Sequence, residues 1–172
     1  VIPYFLWFVY VSGILFFCFF KDKQEYYRNC MFLFTGMTIF LIISTLWPNG
    51  HHLRPYIMPR ENIFTRIVTQ LYSIDTPTNL WPSIHVYNSI GAHLAVVHTP
   101  LLAENKKVRT GSFILCILII LSTVFIKQHS MFDVITAFIM AAVMYLVVYQ
   151  MDIVAFFQTY HTNWKRRKLR QV

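Results

Sequence analysis

Long apolar blocks, separated by shorter polar segments, dominate the sequence. Five such blocks occur, at about 1–20, 31–47, 84–102, 112–126 and 131–150. Most approach the roughly 20 apolar residues that a helix needs to cross the hydrocarbon core of a bilayer. Lipid offers the backbone no hydrogen-bond partner, so blocks at that depth are expected to be helical. The pattern predicts an all-α fold, a polytopic membrane helix bundle with five spans, or six if another helix precedes Val1.

The polar intervals define the rest of the organisation. The longest, 48–83, is predicted to be a loop on one membrane face, and within it apolar residues recur with a helical period from Ile63 to Leu71. This favours a short amphipathic helix, lying either in the membrane interface or packed on the bundle. The last block can extend to 157. The predicted units are therefore a bundle over 1–157 and a basic cytoplasmic tail over 158–172.

Composition supports the membrane interpretation. Hydrophobic residues make up 56% of the chain and charged residues only 13%, whereas soluble domains carry about 25% charged residues. The net charge of +8 raises the question of nucleic-acid binding. Because the basic residues flank apolar blocks and form no continuous basic face, we expect no nucleic-acid partner. The three cysteines lack metal-ligand spacing and are interpreted as small buried hydrophobic residues.

The basic residues also predict an orientation. Segments 21–29 and 103–111 and the tail together hold eleven of the fifteen Lys and Arg residues. The other four are Arg54, Arg60, Arg66 and Lys127. The positive-inside rule places the larger group in the cytoplasm. The long loop, the start of the third block and the junction of the last two blocks then share the outer face.

Ionisable residues at that junction are the first candidates for chemistry. His129 and Asp133 are four residues apart, which places them on one helical face. A carboxylate that accepts from one imidazole nitrogen leaves the other free for nucleophilic attack. The alternative is a pair that only caps and pins a helix end. Lys127 can bind phosphate oxygens or simply extend its amine to the headgroup region.

The start of the third block carries a second candidate group. Pro82 precedes Ser83 and His85, and proline is favoured in the first turn of a helix. Free amides there, together with the Ser83 hydroxyl, can hold an anion, and His85 can protonate a leaving oxygen. A plain serine cap with a polar histidine at the interface is the alternative.

The long loop contributes Arg54-Pro55, preceded by His51 and His52. An arginine fork suits bidentate phosphate binding, although a basic residue that faces lipid headgroups is the alternative. Two adjacent histidines do not share a helical face, and the sequence places no third ligand beside them. We therefore predict no metal site.

These residues together resemble the three signature motifs of the type 2 phosphatidic acid phosphatase superfamily, which includes lipid phosphatases, lipid phosphotransferases and vanadium haloperoxidases. The motifs, in order, are Arg54-Pro55, then Pro82-Ser83-Ile84-His85, then Ser122 followed at fixed spacing by His129 and Asp133. The resemblance extends from about Arg54 to about Gln150.

The resemblance implies a role for each matching residue. His129 would be the nucleophile that forms a phosphohistidine, and Asp133 would orient it. His85 would be the general acid, while Arg54 and Ser83 would hold phosphate oxygens. Positioned cations and amides would supply the electrostatic stabilisation, so no metal and no cofactor is expected. The expected partners are membrane lipids and a lipid phosphate substrate, at the extracytoplasmic face of a cell membrane.

Three positions depart from the family pattern. The first motif usually has Lys where this chain has Trp47, the second has Gly in place of Ile84, and the third has Arg in place of Thr123. Two phosphate-binding cations are therefore absent from their usual places. Lys127 lies four residues after Thr123, so on a continuous helix it would project from the same face and bind the phosphate together with Ser122.

Three functions follow from this pattern. The leading hypothesis is a lipid phosphate phosphatase, in which water resolves the phosphohistidine. The second is a phosphotransferase of the inositol-phosphorylceramide or sphingomyelin synthase type, with which Ile84 is compatible and in which an alcohol replaces water. The third is a non-enzymatic membrane protein such as a channel, a transporter subunit or an inactive scaffold, to which the missing cations lend weight.

Overall fold

The protein is a bundle of helices, as a computed structural model describes it over residues 1–58, 60–157 and 159–160. The elements are α1 Ile2–Lys21, α2 Lys23–Leu46, α3 Ile63–Ile74, α4 Ile84–His98, α5 Pro100–Ala103, α6 Lys106–Phe125, α7 Met131–Tyr145 and a π-helical turn Leu146–Gln150. The described residues contain no β-strand, only an isolated bridge between Gly50 and Thr78. The predicted all-α membrane fold is confirmed. The predicted basic tail lies outside the described residues, except for 159–160.

Four helices, not the five predicted spans, are long and apolar enough to cross a membrane: α1, α2, α6, and α7 with its π-helical turn. The third apolar block differs because α4 ends at His98. Thr99 is extended before Pro100, as residues preceding proline usually are. Fifteen helical residues span about 22 Å, which is short of the roughly 30 Å hydrocarbon core.

Helix α4 is the centre of the bundle and contacts α1, α2, α6 and α7. Its Tyr87 ring stacks on Phe32 of α2 at 4.5 Å between centroids, and its hydroxyl donates to the Phe32 carbonyl at 2.8 Å. A Cβ added to Gly36 would clash with the Tyr87 ring. Glycine at this position therefore lets α2 approach α4 closely, as small residues do between membrane helices.

The amphipathic helix predicted in the loop is α3. Asn62 caps it through a reciprocal capping box with Thr65. Val68 packs into a cluster with Tyr4 and Ile126 of the bundle, while Ile63 and Phe64 are exposed. The helix therefore packs on the bundle through one side and leaves an apolar surface open on another.

Helices α1 and α2 meet end to end, with Asp22 as the only residue between them. The Asp22 carboxylate caps α2 by accepting from the backbone N–H of Glu25 at 3.0 Å. The basic segment 21–29 is therefore mostly helical, and α6 likewise begins at Lys106 inside segment 103–111. These charged residues lie at helix ends rather than in loops.

Ionisable side chains meet at the same end of the bundle as Asp22. The Tyr149 hydroxyl donates to Glu25 Oε1 at 2.6 Å, and Arg28 Nη2 lies 2.6 Å from Asp152 Oδ2. Arg28 Nη1 also lies 3.8 Å from Glu25 Oε2. We call Glu25, Arg28, Tyr149 and Asp152 the Glu25 cluster.

Candidate active site

The N-termini of α4 and α7 lie side by side at the opposite end of the bundle. The Ser83 backbone N–H donates to the Asp133 carbonyl at 3.3 Å. Ser83 caps α4 by accepting from the Val86 N–H at 3.4 Å. Ser130 and Asp133 cap α7 reciprocally, with the Ser130 N–H 2.7 Å from Asp133 Oδ2. The Ser83–Asp133 hydrogen bond joins the second and third motifs across about fifty residues of sequence.

The two candidate catalytic histidines face each other at this junction. His129 Nε2 lies 3.4 Å from His85 Nδ1, and His129 Nδ1 lies 3.6 Å from Asp133 Oδ2, just beyond hydrogen-bond length. A carboxylate only accepts, so this geometry favours a proton on His129 Nδ1 and a lone pair on Nε2. His129 is only 4% exposed. His129 and Asp133 do lie close together, but α7 begins at Met131 after the N-cap Ser130, so His129 precedes the helix and the contact does not come from a shared helical face. The Asp133 carboxylate also serves as a cap.

Aromatic side chains of α1 cover His85. The imidazole stacks on Tyr4 at 4.8 Å and lies 4.5 Å from the Trp7 ring. Both rings are buried. Sequence reasoning did not find these two residues. Their spacing of three places them on one face of α1, but nothing in the sequence indicates that this face lies against His85.

Arg54 reaches the same site from the long loop. Its Nη1 donates to the carbonyls of Asp75 and, at 3.4 Å, Tyr72, and its Nη2 donates to Gln128 Oε1. The guanidinium carbon lies 4.6 Å from the centre of the Tyr72 ring. Arg54 is therefore hydrogen-bonded to the residue that directly precedes His129.

Gln128 is a site residue that the sequence analysis passed over. It is 1% exposed, and its backbone carbonyl lies 3.1 Å from His51 Nε2. The sequence signal that could have identified Gln128 is its position between Lys127 and the candidate nucleophile His129. His51 uses its other ring nitrogen to accept from the Leu53 N–H at 3.3 Å, so both nitrogens contact protein. Among the described residues, no three His, Cys, Asp or Glu side chains group as metal ligands would.

Lys127 is placed differently from the prediction. Helix α6 ends at Phe125, and Lys127 follows with a left-handed φ of 55°. The helical spacing from Thr123 therefore does not apply, and the inference that Lys127 projects from that face is wrong. Its side chain is exposed and makes no hydrogen bond or ion pair with the described residues.

Ser122 is held within its own helix. Its buried hydroxyl donates to the Ile119 carbonyl at 2.7 Å, and Thr123 bonds in the same way to Ile120 at 2.8 Å. In the described part of the chain neither hydroxyl contacts a histidine. The structure thus brings together His85, His129, Asp133, Ser83 and Arg54, and leaves Ser122 and Lys127 apart from them.

A cavity of about 440 Å³ opens beside Asp133. Its walls include the aromatic rings of Trp47, Trp81 and Phe132, the last two stacked with 5.9 Å between ring centroids. Trp47, which stands where the first motif of the family has lysine, therefore places an apolar surface next to the site.

The chain also matches a known protein family. The model of the PAP2 superfamily matches residues 53–156, which is more than half of the chain and includes every candidate site residue named above except His51, Trp47, Tyr4 and Trp7. The chain belongs to the PAP2 superfamily. No match was found among curated proteins or among solved structures.

PAP2 membership supports a lipid-phosphate function of the phosphatase or phosphotransferase type. The four long apolar helices agree with a membrane enzyme of this superfamily. The family match covers α6, α7 and its π-helical turn together with the histidine junction, whereas α1 and α2 precede the matched residues.

Proposed function

We propose that the protein is an integral membrane lipid phosphate phosphatase, which hydrolyses a lipid-linked phosphomonoester or diphosphate through a phosphohistidine. One observation carries the proposal. His129 Nε2 faces His85 while His129 Nδ1 faces the Asp133 carboxylate. An imidazole with an orienting carboxylate on one nitrogen and a proton donor near the other has the arrangement of an activated nucleophile.

The reaction follows from these positions. The lone pair of His129 Nε2 attacks phosphorus and forms a P–N bond as the P–O bond to the lipid breaks. The leaving oxygen takes the electron pair and a proton from protonated His85. His85, now neutral, removes a proton from water, whose oxygen attacks phosphorus. The P–N bond breaks, and its electron pair returns to His129 as inorganic phosphate leaves.

The histidines must separate to admit a phosphoryl group. Reacting atoms lie about 3–3.5 Å apart before reaction, and a general acid lies about 2.6–3.2 Å from its oxygen. Phosphorus and a leaving oxygen do not fit between nitrogens that are 3.4 Å apart. Because His85 is packed on Tyr4 and Trp7, we expect that movement of α1 accompanies substrate entry.

Donors around the junction supply charge stabilisation. Arg54 provides a guanidinium held by Tyr72 and Gln128. Ser83 caps α4, whose N-terminal amides favour an anion. Lys127, exposed near the same junction, would attract the anionic headgroup from the surface. In this proposal Arg54 is the arginine of the family's first motif, while Lys127 and the N-terminus of α4 partly compensate for the cations that the family carries at the positions of Trp47 and Thr123.

The substrate would be an amphiphile. The aromatic cavity beside Asp133 suits the apolar part of a lipid, while the histidines take its phosphate. The distribution of basic residues supports a site on the extracytoplasmic face of a cell membrane. The bundle over 1–157 would then hold the whole reaction centre, and 158–172 would be a cytoplasmic tail.

The test is phosphate release from a panel of lipid phosphates by purified protein in detergent micelles. A rapid quench with ³²P-labelled substrate should also trap a phosphoprotein that is labile in acid and stable in alkali, as expected of phosphohistidine. His129→Ala should abolish both signals. Turnover that persists in this variant would refute the nucleophile, and no turnover with any lipid phosphate would favour a non-enzymatic role.

Phosphotransfer to an alcohol is the second candidate, favoured by Ile84, which stands between Ser83 and His85 where a phosphatase motif usually has glycine. In that reaction an alcohol would attack the phosphohistidine in place of water. Candidate alcohols added to the same assay separate the two. A phosphorylated alcohol would support transfer, whereas free phosphate as the sole product would exclude it.

A further inference from the structure

Two of the buried side-chain N–H donors that lack partners belong to Gln128, which precedes His129, and to Arg54, which contacts Gln128. Of the described side chains, Arg54 Nε and Gln128 Nε2 are buried and make no hydrogen bond. Arg54 and Gln128 are also hydrogen-bonded to each other. A buried donor without an acceptor is unfavourable, and most such groups in folded proteins have a partner. Two unpaired donors on one pair of residues therefore point to an acceptor that binds there.

The orientation of the Gln128 amide follows from its neighbour. Arginine can only donate, so the atom of Gln128 that faces Arg54 Nη2 must be the carbonyl oxygen Oε1. The NH₂ group is then turned away from Arg54 and carries two N–H donors. Since Gln128 is 1% exposed, water does not reach these donors freely from the surface.

The other candidates for the missing cations are less well placed. Lys127 is exposed, and Thr123 donates its hydroxyl to the Ile120 carbonyl. Gln128, by contrast, is covalently joined to His129, and its backbone N–H is fixed to the Thr123 carbonyl at 2.9 Å. Its side chain is therefore held on a short, anchored segment between the end of α6 and the start of α7.

We propose that Gln128 is a phosphate-binding residue, whose side-chain NH₂ donates to a phosphoryl oxygen beside His129. The assignment rests on the proposed function. Gln128 and the unpaired Arg54 Nε–H form a mixed neutral and cationic pair of donors. Gln128 thereby adds a donor where the two family cations are absent at Trp47 and Thr123, while Arg54 keeps the place of the family arginine. The Oε1 atom meanwhile holds Arg54 in place.

Substituting Gln128 by Glu separates the donation to a phosphoryl oxygen from the hydrogen bond that holds Arg54. Glutamate keeps an oxygen that accepts from Arg54, but it has no N–H and adds a negative charge beside the phosphate. A hydrogen bond to a charged group corresponds to about 10- to 100-fold in a binding constant. We expect Gln128→Glu to raise the inhibition constant of orthovanadate, a phosphate mimic, by at least about tenfold, and to lower kcat/KM by a similar factor.

Gln70→Glu is the matched control. Gln70 is on α3 and exposed, so the same change of charge should leave vanadate inhibition and kcat/KM within about twofold. Gln128→Met removes the acceptor as well and has a similar volume. It should lose vanadate inhibition at least as strongly as Gln128→Glu. The melting temperature of each variant reports whether it is folded.

A measurement on the unmodified protein does not depend on variant folding. With ¹⁵N-labelled glutamine, the buried Gln128 amide should exchange slowly with solvent, and its side-chain signal should shift on addition of vanadate. An unshifted signal at saturating vanadate would overturn the proposal. So would a folded Gln128→Glu variant with wild-type inhibition beside an impaired Gln128→Met, because Gln128 would then only position Arg54.

Failure of the phosphatase proposal can be distinguished from failure of the Gln128 assignment by measurements on the wild-type protein. A wild-type protein that neither turns over any lipid phosphate nor binds vanadate would overturn both proposals. A wild-type protein that does both, with a folded Gln128→Glu variant that matches it, would overturn only the assignment of Gln128.

Discussion

The histidine junction and the Glu25 cluster are both groups of ionisable side chains in an apolar bundle, but their hydrogen bonding differs. In the Glu25 cluster, Arg28 lies between two acids and makes two hydrogen bonds to Asp152. Tyr149 donates to Glu25. Within the described residues, the buried charged atom of this cluster left without a hydrogen bond is a carboxylate oxygen, Glu25 Oε2.

At the histidine junction the unpaired atoms are donors, including Arg54 Nε and Gln128 Nε2. An anion needs donors and is repelled by a free carboxylate oxygen. On this basis we propose anion binding at the histidine junction and a structural role for the Glu25 cluster, which ties α2 to the end of α7. Burial of charge alone does not distinguish the two regions.

The largest expected effect is the loss of turnover in His129→Ala. Removal of a nucleophile that acts together with its neighbours should lower kcat by more than about 10³-fold. His98→Ala is the matched control, because the His98 ring packs against Tyr149 at 4.2 Å in the other region. It should stay within about threefold in phosphate release. Equal losses of phosphate release in His129→Ala and His98→Ala would contradict the functional difference between the histidine junction and the Glu25 cluster.

Asp133→Asn should have the next largest effect. The side-chain oxygen of the new asparagine can still accept from the Ser130 N–H and preserve the cap, but it no longer stabilises a positive charge on His129. We expect kcat to fall by about 10²- to 10⁴-fold while the melting temperature changes little. A large loss of stability with wild-type kcat would show that the carboxylate is only a cap.

Arg28→Ala should show the reverse pattern. It leaves Glu25 and Asp152 without their cation, and loss of hydrogen bonds to a charged group costs about 1–3 kcal/mol. Thermal denaturation in detergent should report a lower melting temperature, while kcat/KM of the folded protein stays within about twofold. Arg28→Lys should restore part of the stability. A selective loss of activity in Arg28→Ala would connect the Glu25 cluster to catalysis.

The smallest effect concerns pH. The hydrogen bond from Arg28 holds the pKa of Asp152 below its ordinary value. Its stabilisation is therefore present above about pH 3.9, the ordinary value, and is lost as pH falls through the folded-state pKa. Asp152→Asn should melt below the wild type at neutral pH, and the difference should shrink below about pH 4. A difference independent of pH would mean that the carboxylate charge contributes nothing.

The prediction from sequence was strongest where residues act through local spacing. The apolar periodicity from Ile63 to Leu71 predicted a helix, and α3 begins at Ile63. His129 and Asp133 are four residues apart and lie close together, although His129 precedes α7. Two predictions were wrong because a helix ends earlier than the sequence pattern indicated. Lys127 lies past the end of α6, and the third span is cut short before Pro100.

The sequence by itself determined the membrane class, the helical architecture, the family motifs and the residue types available for phosphoryl transfer, because these depend on hydropathy and short-range spacing. Only the tertiary structure decided that Tyr4 and Trp7 pack on His85 and that Arg54 meets Gln128. Those contacts join positions about 75 to 80 residues apart. They depend on how α1 packs against α4 and on how the long loop packs against the α6–α7 junction, which no local pattern specifies.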